Sequence, residues 1–210
     1  MKFDLKFIVQ PHENFNGLSY GCWTSIWWNW LFSDQIQFGS VYFLRGNTDK
    51  ESPIIRTGKD GPMICSDTAI FFPIICTISS EHMFEHASTQ STRRSESAER
   101  QKNPLLLSVK INGVKIPNLK NYYAESPEFV LDIPKSSKIR LSFDPLPRIG
   151  KMPAVSAGYW IMLRPLPPGT YRIIFKAKHS DGNVSHGKAK HADKYVAHGD
   201  YTIRVIDSFK

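Results

Sequence analysis

Residues 105–117 read LLLSVKINGVKIP, and this stretch decides the fold. Asn112 and Gly113 tolerate positive φ at both central positions of a tight turn, so the runs on either side are two strands of one hairpin. Strands are expected to follow at Phe129–Ile133, Ile139–Phe143 and Ser156–Leu163, each set off by Pro or Gly. Leu166-Pro167-Pro168-Gly169 then makes a turn, and TYRIIFKA (170–177) and YTIRVI (201–206) complete the set. Many short strands at this spacing predict a mainly β protein, an antiparallel β-sandwich or a jelly-roll-like arrangement.

Upstream, residues 17–32 read GLSYGCWTSIWWNWLF. Trp23, Ile26, Trp27, Trp30 and Leu31 recur at helical spacing, which predicts a Trp-rich helix near the N-terminus with Ser19 as its cap. Trp28 falls off that stripe, so it is expected to be exposed or to reach a second layer. Phe3, Leu5, Phe7 and Val9 alternate as a short edge strand would. Residues 41–44 form a short apolar run, and the charged, Gly/Pro-rich stretch 48–62 reads as loop. TAIFFPIICTI (68–78) is β-branched and aromatic, a buried strand in which Pro73 requires a bulge or an edge position. Residues 81–103 turn polar and Ser/Thr-rich, a partly helical insertion. No internal repeat or linker divides the chain, so one domain over 1–210 is expected, with the 81–103 insertion and a basic, His-rich loop at 178–199.

Composition narrows the function classes. With 41% hydrophobic and 22% charged residues in 210, the chain is neither disordered nor fibrous. No apolar run approaches the ~18 residues a membrane helix needs. Three cysteines, Cys22, Cys65 and Cys76, are too few for a disulfide framework, and no CxxC pair suggests zinc. Residues 1–10 lack the apolar run and cleavage site of a signal peptide, so a soluble, cytoplasmic setting is expected. The formal charge is +8, and residues 148–210 carry 11 Lys and Arg against 4 Asp and Glu. A basic third of this kind attracts a glycan, nucleic acid, phosphate or anionic surface.

Candidate site residues follow from these patterns. Lys176, Lys178, Lys188, Lys190 and Lys194 are candidate anion contacts. His179, His186, His191 and His198, interleaved with them, are candidate metal ligands, or gain charge below about pH 6.5 and tighten an anion contact. Tyr20 and Trp28 are candidate aromatic ligand contacts, because flat π faces stack on sugars or bases. His82-Met83-Phe84-Glu85-His86 matches the inverted zinc-peptidase pattern, but five-residue matches arise easily by chance. Cys22 sits where a helix dipole lowers a thiol pKa, although a structural cysteine explains it as well. Glu13, Asp34, Asp67 and Asp144 are the available carboxylates. No nucleophile elbow, phosphate-cradling loop or dinucleotide fingerprint is present, so no catalytic set and no cofactor are assigned.

Four blocks also carry a resemblance. GLSYGCWTSIWWNW (17–30), VYFLRG (41–46), AIFFPII (69–75) and AVSAGYWIMLRPLPPGT (154–170) resemble, in order, the landmarks of a bacterial and archaeal protein family without an established activity. Its pattern is G-x-S-Y-G-x-W-T-x-x-W-W-x-W early and S-x-G-Y-W…L-P-P-G late. Many of its members look exported, often with a cysteine before the V-x-F-L block as a bridge partner for the one matching Cys65. Residues 33–39 contain no cysteine here. The resemblance implies a shared fold and brings no site residues with it. The leading expectation is a non-catalytic binding module engaging an anionic partner through its basic last third. The alternatives are an enzyme acting on a small molecule or glycan beside the Trp-rich helix, with Glu13 moving a proton, and a metal-binding protein using the tail histidines.

Overall fold

A computed structural model describes residues 2–33, 37, 39–46, 54–58, 61–80, 88–143, 146–179 and 195–208, leaving aside the side chains of His179 and Tyr195. In chain order the elements are α1 (Tyr20–Phe32), β1 (Val41–Phe43), β2 (Ile54–Arg56), β3 (Met63–Cys65), β4 (Ala69–Ser80), α2 (Gln90–Gln101), β5 (Leu106–Ile111), β6 (Val114–Lys115), β7 (Tyr123–Glu125), β8 (Phe129–Ile133), β9 (Gly150–Leu163), β10 (Gly169–His179) and β11 (Tyr195–Ile206). They form two sheets. The first runs β1-β4-β9, with β7 and β8 both paired to β9; the second runs β2-β11-β10-β5-β6, with β3 also on β11.

The protein is mainly β and sandwich-like, as the strand spacing predicts. Its long pairs, β4 with β9, β10 with β11 and β10 with β5, are antiparallel. The short pairs β1 with β4, β2 with β11 and β3 with β11 are parallel. The reason is connectivity: after β1 the chain crosses to the second sheet for β2 and β3, then returns for β4, entering beside β1 in the same direction.

Between the sheets lies one apolar layer, in which Phe72, Ile75, Ile161 and Leu163 meet Ile173, Phe175, Tyr201 and Ile203. The outer face of the first sheet carries Phe71, Trp160 and Met162, and α1 packs there. Phe71 and Trp160 stack at 5.2 Å, and Trp27 meets Trp160 edge-on at 5.3 Å. The order is therefore helix, sheet, sheet. Ser19 caps α1 as expected, its Oγ accepting from the Cys22 N–H at 3.3 Å. The hairpin turn is as read: Asn112 and Gly113 have φ of 46° and 79°. Pro73 lies in a central strand, and the register shifts between Pro73 and Ile75, so the bulge solves its missing donor.

Elsewhere the elements differ from expectation. Residues 3–9 form no strand. Asp4 caps a 3-10 turn at Leu5–Phe7, and only Ile8 bridges to Leu163. Residues 139–142 are likewise a 3-10 turn, and 54–56, inside the expected loop, pair with β11. The insertion is helical at α2, with Thr89 and Thr92 in a reciprocal capping box. This helix buries Arg93, Ser97 and Gln101, a polar stripe. Arg93 pairs with Glu128 and donates to the Ser88 carbonyl, while Ser97 Oγ donates to the Val155 carbonyl at 3.0 Å. No helix among the described residues is long and apolar enough to cross a membrane.

Candidate functional site

Among the described residues the second sheet has one buried face and one open face, and alternation assigns each residue to its side. Val109, Ile111, Ile173, Phe175, Ile203 and Val205 are buried against the first sheet. Their neighbours in sequence point the other way: Lys110, Arg172, Lys176, Lys178 and Arg204, with Lys115 opposite Lys110 across the hairpin. The six strands of this sheet hold a single carboxylate, Asp200. Arg172 engages it through Nε at 3.1 Å and Nη2 at 2.8 Å.

Register turns these positions into a patch. Lys176 stands between Ser108 and His198, Lys178 between Leu106 and Val196, and Ile174 between Lys110 and Asp200. Strands ~4.8 Å apart and same-face neighbours ~6.6 Å apart set the spacing of these cations. Lys110 directly opposite Lys115 is a like-charge pair, which costs a fraction of a kcal/mol. Burial, and then the Lys176 ammonium, hold the His198 imidazole below its usual pKa. Ile55 and Met63, 58% and 57% exposed, add apolar surface at the β2 and β3 margin.

Of the anion contacts read from sequence, Lys176 and Lys178 lie on this face; Lys188, Lys190 and Lys194 fall outside the described residues. His198 is on β11 opposite Lys176, and the His179 backbone ends β10. His186 and His191 lie outside the described residues, as do residues 82–86 of the zinc-peptidase pattern. Among the described residues no three His, Cys, Asp or Glu side chains gather as a metal site. Lys110, Lys115, Arg172 and Arg204 were not singled out by the sequence reading. Their signal was present: each falls on the polar beat of an alternating strand.

The structure corrects the two aromatic contacts. Tyr20 and Trp28 are 2% and 4% exposed, buried in the core rather than on the surface. Tyr20 OH donates to the Val9 carbonyl at 2.6 Å and accepts from the Met162 N–H at 3.1 Å, while Trp28 Nε1 donates to Ser156 Oγ at 2.7 Å. Trp28 is buried off the stripe because α1 has a second wall, where Phe143 packs against Trp28 and Phe32. Glu13 is held by Arg164 at 2.8 Å and also accepts from the Gln10 N–H. Asp67 accepts from Thr68 at 3.4 Å, and Asp34 and Asp144 lie outside the described residues. The three cysteines are free thiols; Cys22 is half-buried beside Ser19, and desolvation pushes the Cys76 thiol well up, away from thiolate chemistry.

Comparison with known proteins finds no matching family model and no matching curated protein, in keeping with a resemblance that brings no established activity. Among solved structures, a family 123 glycoside hydrolase from Clostridium perfringens, described for glycolipid glycan hydrolysis, matches at 11% identity with a TM-score of 0.22. That match covers 86% of this chain and 25% of the enzyme, so the chain spans about a quarter of its length.

Proposed function

We propose that this protein is a non-catalytic binding module that engages a polyanion through the open face of its second sheet. One observation supports the reading above others: six outward cations, Lys110, Lys115, Arg172, Lys176, Lys178 and Arg204, share a face whose strands carry Asp200 as their lone carboxylate. The face is a sheet surface, which suits a linear partner such as a sulfated glycan or nucleic acid better than a single small anion. Binding then rests on counterion release and weakens steeply with salt. The test is elution from immobilised heparin along a salt gradient. The native protein is retained and elutes late; Lys176→Glu/Lys178→Glu elutes several-fold earlier in salt. Equal elution of both proteins, or no retention at low salt, overturns the proposal.

A further inference from the structure

The chain leaves the edge of β5 early. After Ile116 N–H donates to the Val109 carbonyl at 3.0 Å, Pro117 offers no donor and Asn118 turns left-handed at φ 52°. The bonds from Asn112 N–H to Arg172 and from Ile116 N–H to Val109 fix the ladder's parity. Even-numbered residues of β5 face β10, and odd-numbered ones face the side of β6. The N–H and C=O of Leu107 therefore point into the space the chain has vacated, without a strand partner among the described residues. That space is a groove of about 600 Å³ between residues 104–107 and 115–120. Leu105, 56% exposed, with Leu106 and Pro117 makes it apolar, and exposed Lys115 and Lys120 stand on its rim. From Asn103 to Ala124 the sequence has three lysines and no carboxylate.

We propose that this groove takes an extended acidic polypeptide segment by strand addition, at an edge that adjoins the basic face and shares Lys115 with it. Leu105 turns its N–H back to the Lys178 carbonyl at 2.8 Å, so the open pair is the N–H and C=O of Leu107. One residue of another backbone satisfies both at once; a glycan or lipid headgroup does not match them. Alternation in the added strand sends one set of side chains to the inner face beside Leu107 and the other, the carboxylates, to the outer face where Lys115 stands. A second copy of β5 is a poor occupant, because it brings Lys110, Lys115 and Lys120 against their equivalents.

The probe is a fluorescent peptide of alternating Val and Glu, followed by anisotropy with the full chain. Replacing Glu by Lys is expected to weaken binding at least tenfold, and so is the protein variant Lys120→Glu. N-methylation of one set of alternate peptide amides is expected to abolish binding, and of the other set to leave it intact. The inference is overturned if the peptide fails to bind at about 1 mM. It is also overturned if both N-methylated peptides bind like the parent, or if a concentration-dependent dimer of the protein competes with the peptide. Lys176→Glu/Arg204→Glu, whose strand partners do not line the groove, is expected to lose heparin retention and keep the peptide, so this inference and the polyanion reading fail separately.

Discussion

Gly21 shows how a single residue is fixed by packing against its own propensity. Alanine is favoured over glycine inside a helix by about 1 kcal/mol. A Cβ at Gly21 would lie 2.2 Å from the Glu125 carbonyl oxygen, which belongs to backbone and cannot swing away. Gly21→Ala is therefore expected to destabilise the protein by about 1–3 kcal/mol, read from urea unfolding, against the sign propensity alone predicts. Tyr20 makes a second case. Its hydroxyl joins the Val9 carbonyl to the Met162 amide, so Tyr20→Phe leaves both without that partner, at a cost of about 1–3 kcal/mol. Burial pushes the phenol of Tyr201 up to about 12. The folded state thus holds that proton more tightly than the unfolded chain, whose tyrosines titrate near pH 10. The stability it contributes is complete below pH 10 and is lost as pH rises toward about 12, so alkaline unfolding is expected in that window. A thermal-melt series across pH 8–12 checks the direction. The Ser19 cap was legible because its chemistry is local, whereas the glycine contact joins residues a hundred positions apart and left no mark in sequence.

At the scale of elements, legibility followed how much each depends on neighbours. The Asn112-Gly113 hairpin and the Pro73 bulge follow from backbone rules alone, and both form. Residues 3–9 alternate like a strand, yet Asp4 accepts from the Lys6 amide and closes a 3-10 turn instead. Here a side-chain cap competes successfully with sheet pairing. α2 was the least legible in its role, since nothing apolar marks its buried face. Arg93, Ser97 and Gln101 dock it by hydrogen bonds and charge. The Arg93 side chain is 5% exposed and that of Glu128 33%, so the pair is partly solvated. Arg93→Ala strands a carboxylate beside the first sheet and is expected to cost about 2–4 kcal/mol, at or below the usual range for a fully buried pair. Urea unfolding measures it, and a loss under 1 kcal/mol would contradict a docking role for this pair.

At the scale of the molecule, two sheets and two helices divide the chain's surfaces. α1 seals the first sheet with indole rings, and the second sheet is left with its outer face open. The excess charge of residues 148–210 was legible as a number, but half of its meaning was not. Lys110 and Lys115 come from a hairpin some sixty residues earlier, and only the β5–β10 register sets Lys110 beside Arg172 and Lys176. His198 adds a pH dependence to that face. Its imidazole is held neutral at pH 7 by burial and by Lys176, so acidification adds a charge there and removes stability as it does so. Polyanion affinity is expected to rise on acidification below the ordinary imidazole range, measured at fixed ionic strength, and His198→Gln is expected to flatten that rise.

The most direct measurement is the salt dependence of affinity for duplex DNA of arbitrary sequence, taken as a model polyanion, for the native protein and for Lys110→Ala/Lys176→Ala. The native protein is expected to give a steep linear fall of log affinity with log salt, and each lysine removed to lower the slope by about 1. A slope unchanged by the double substitution, or an affinity indifferent to salt, contradicts the assignment of this open sheet face as a polyanion surface.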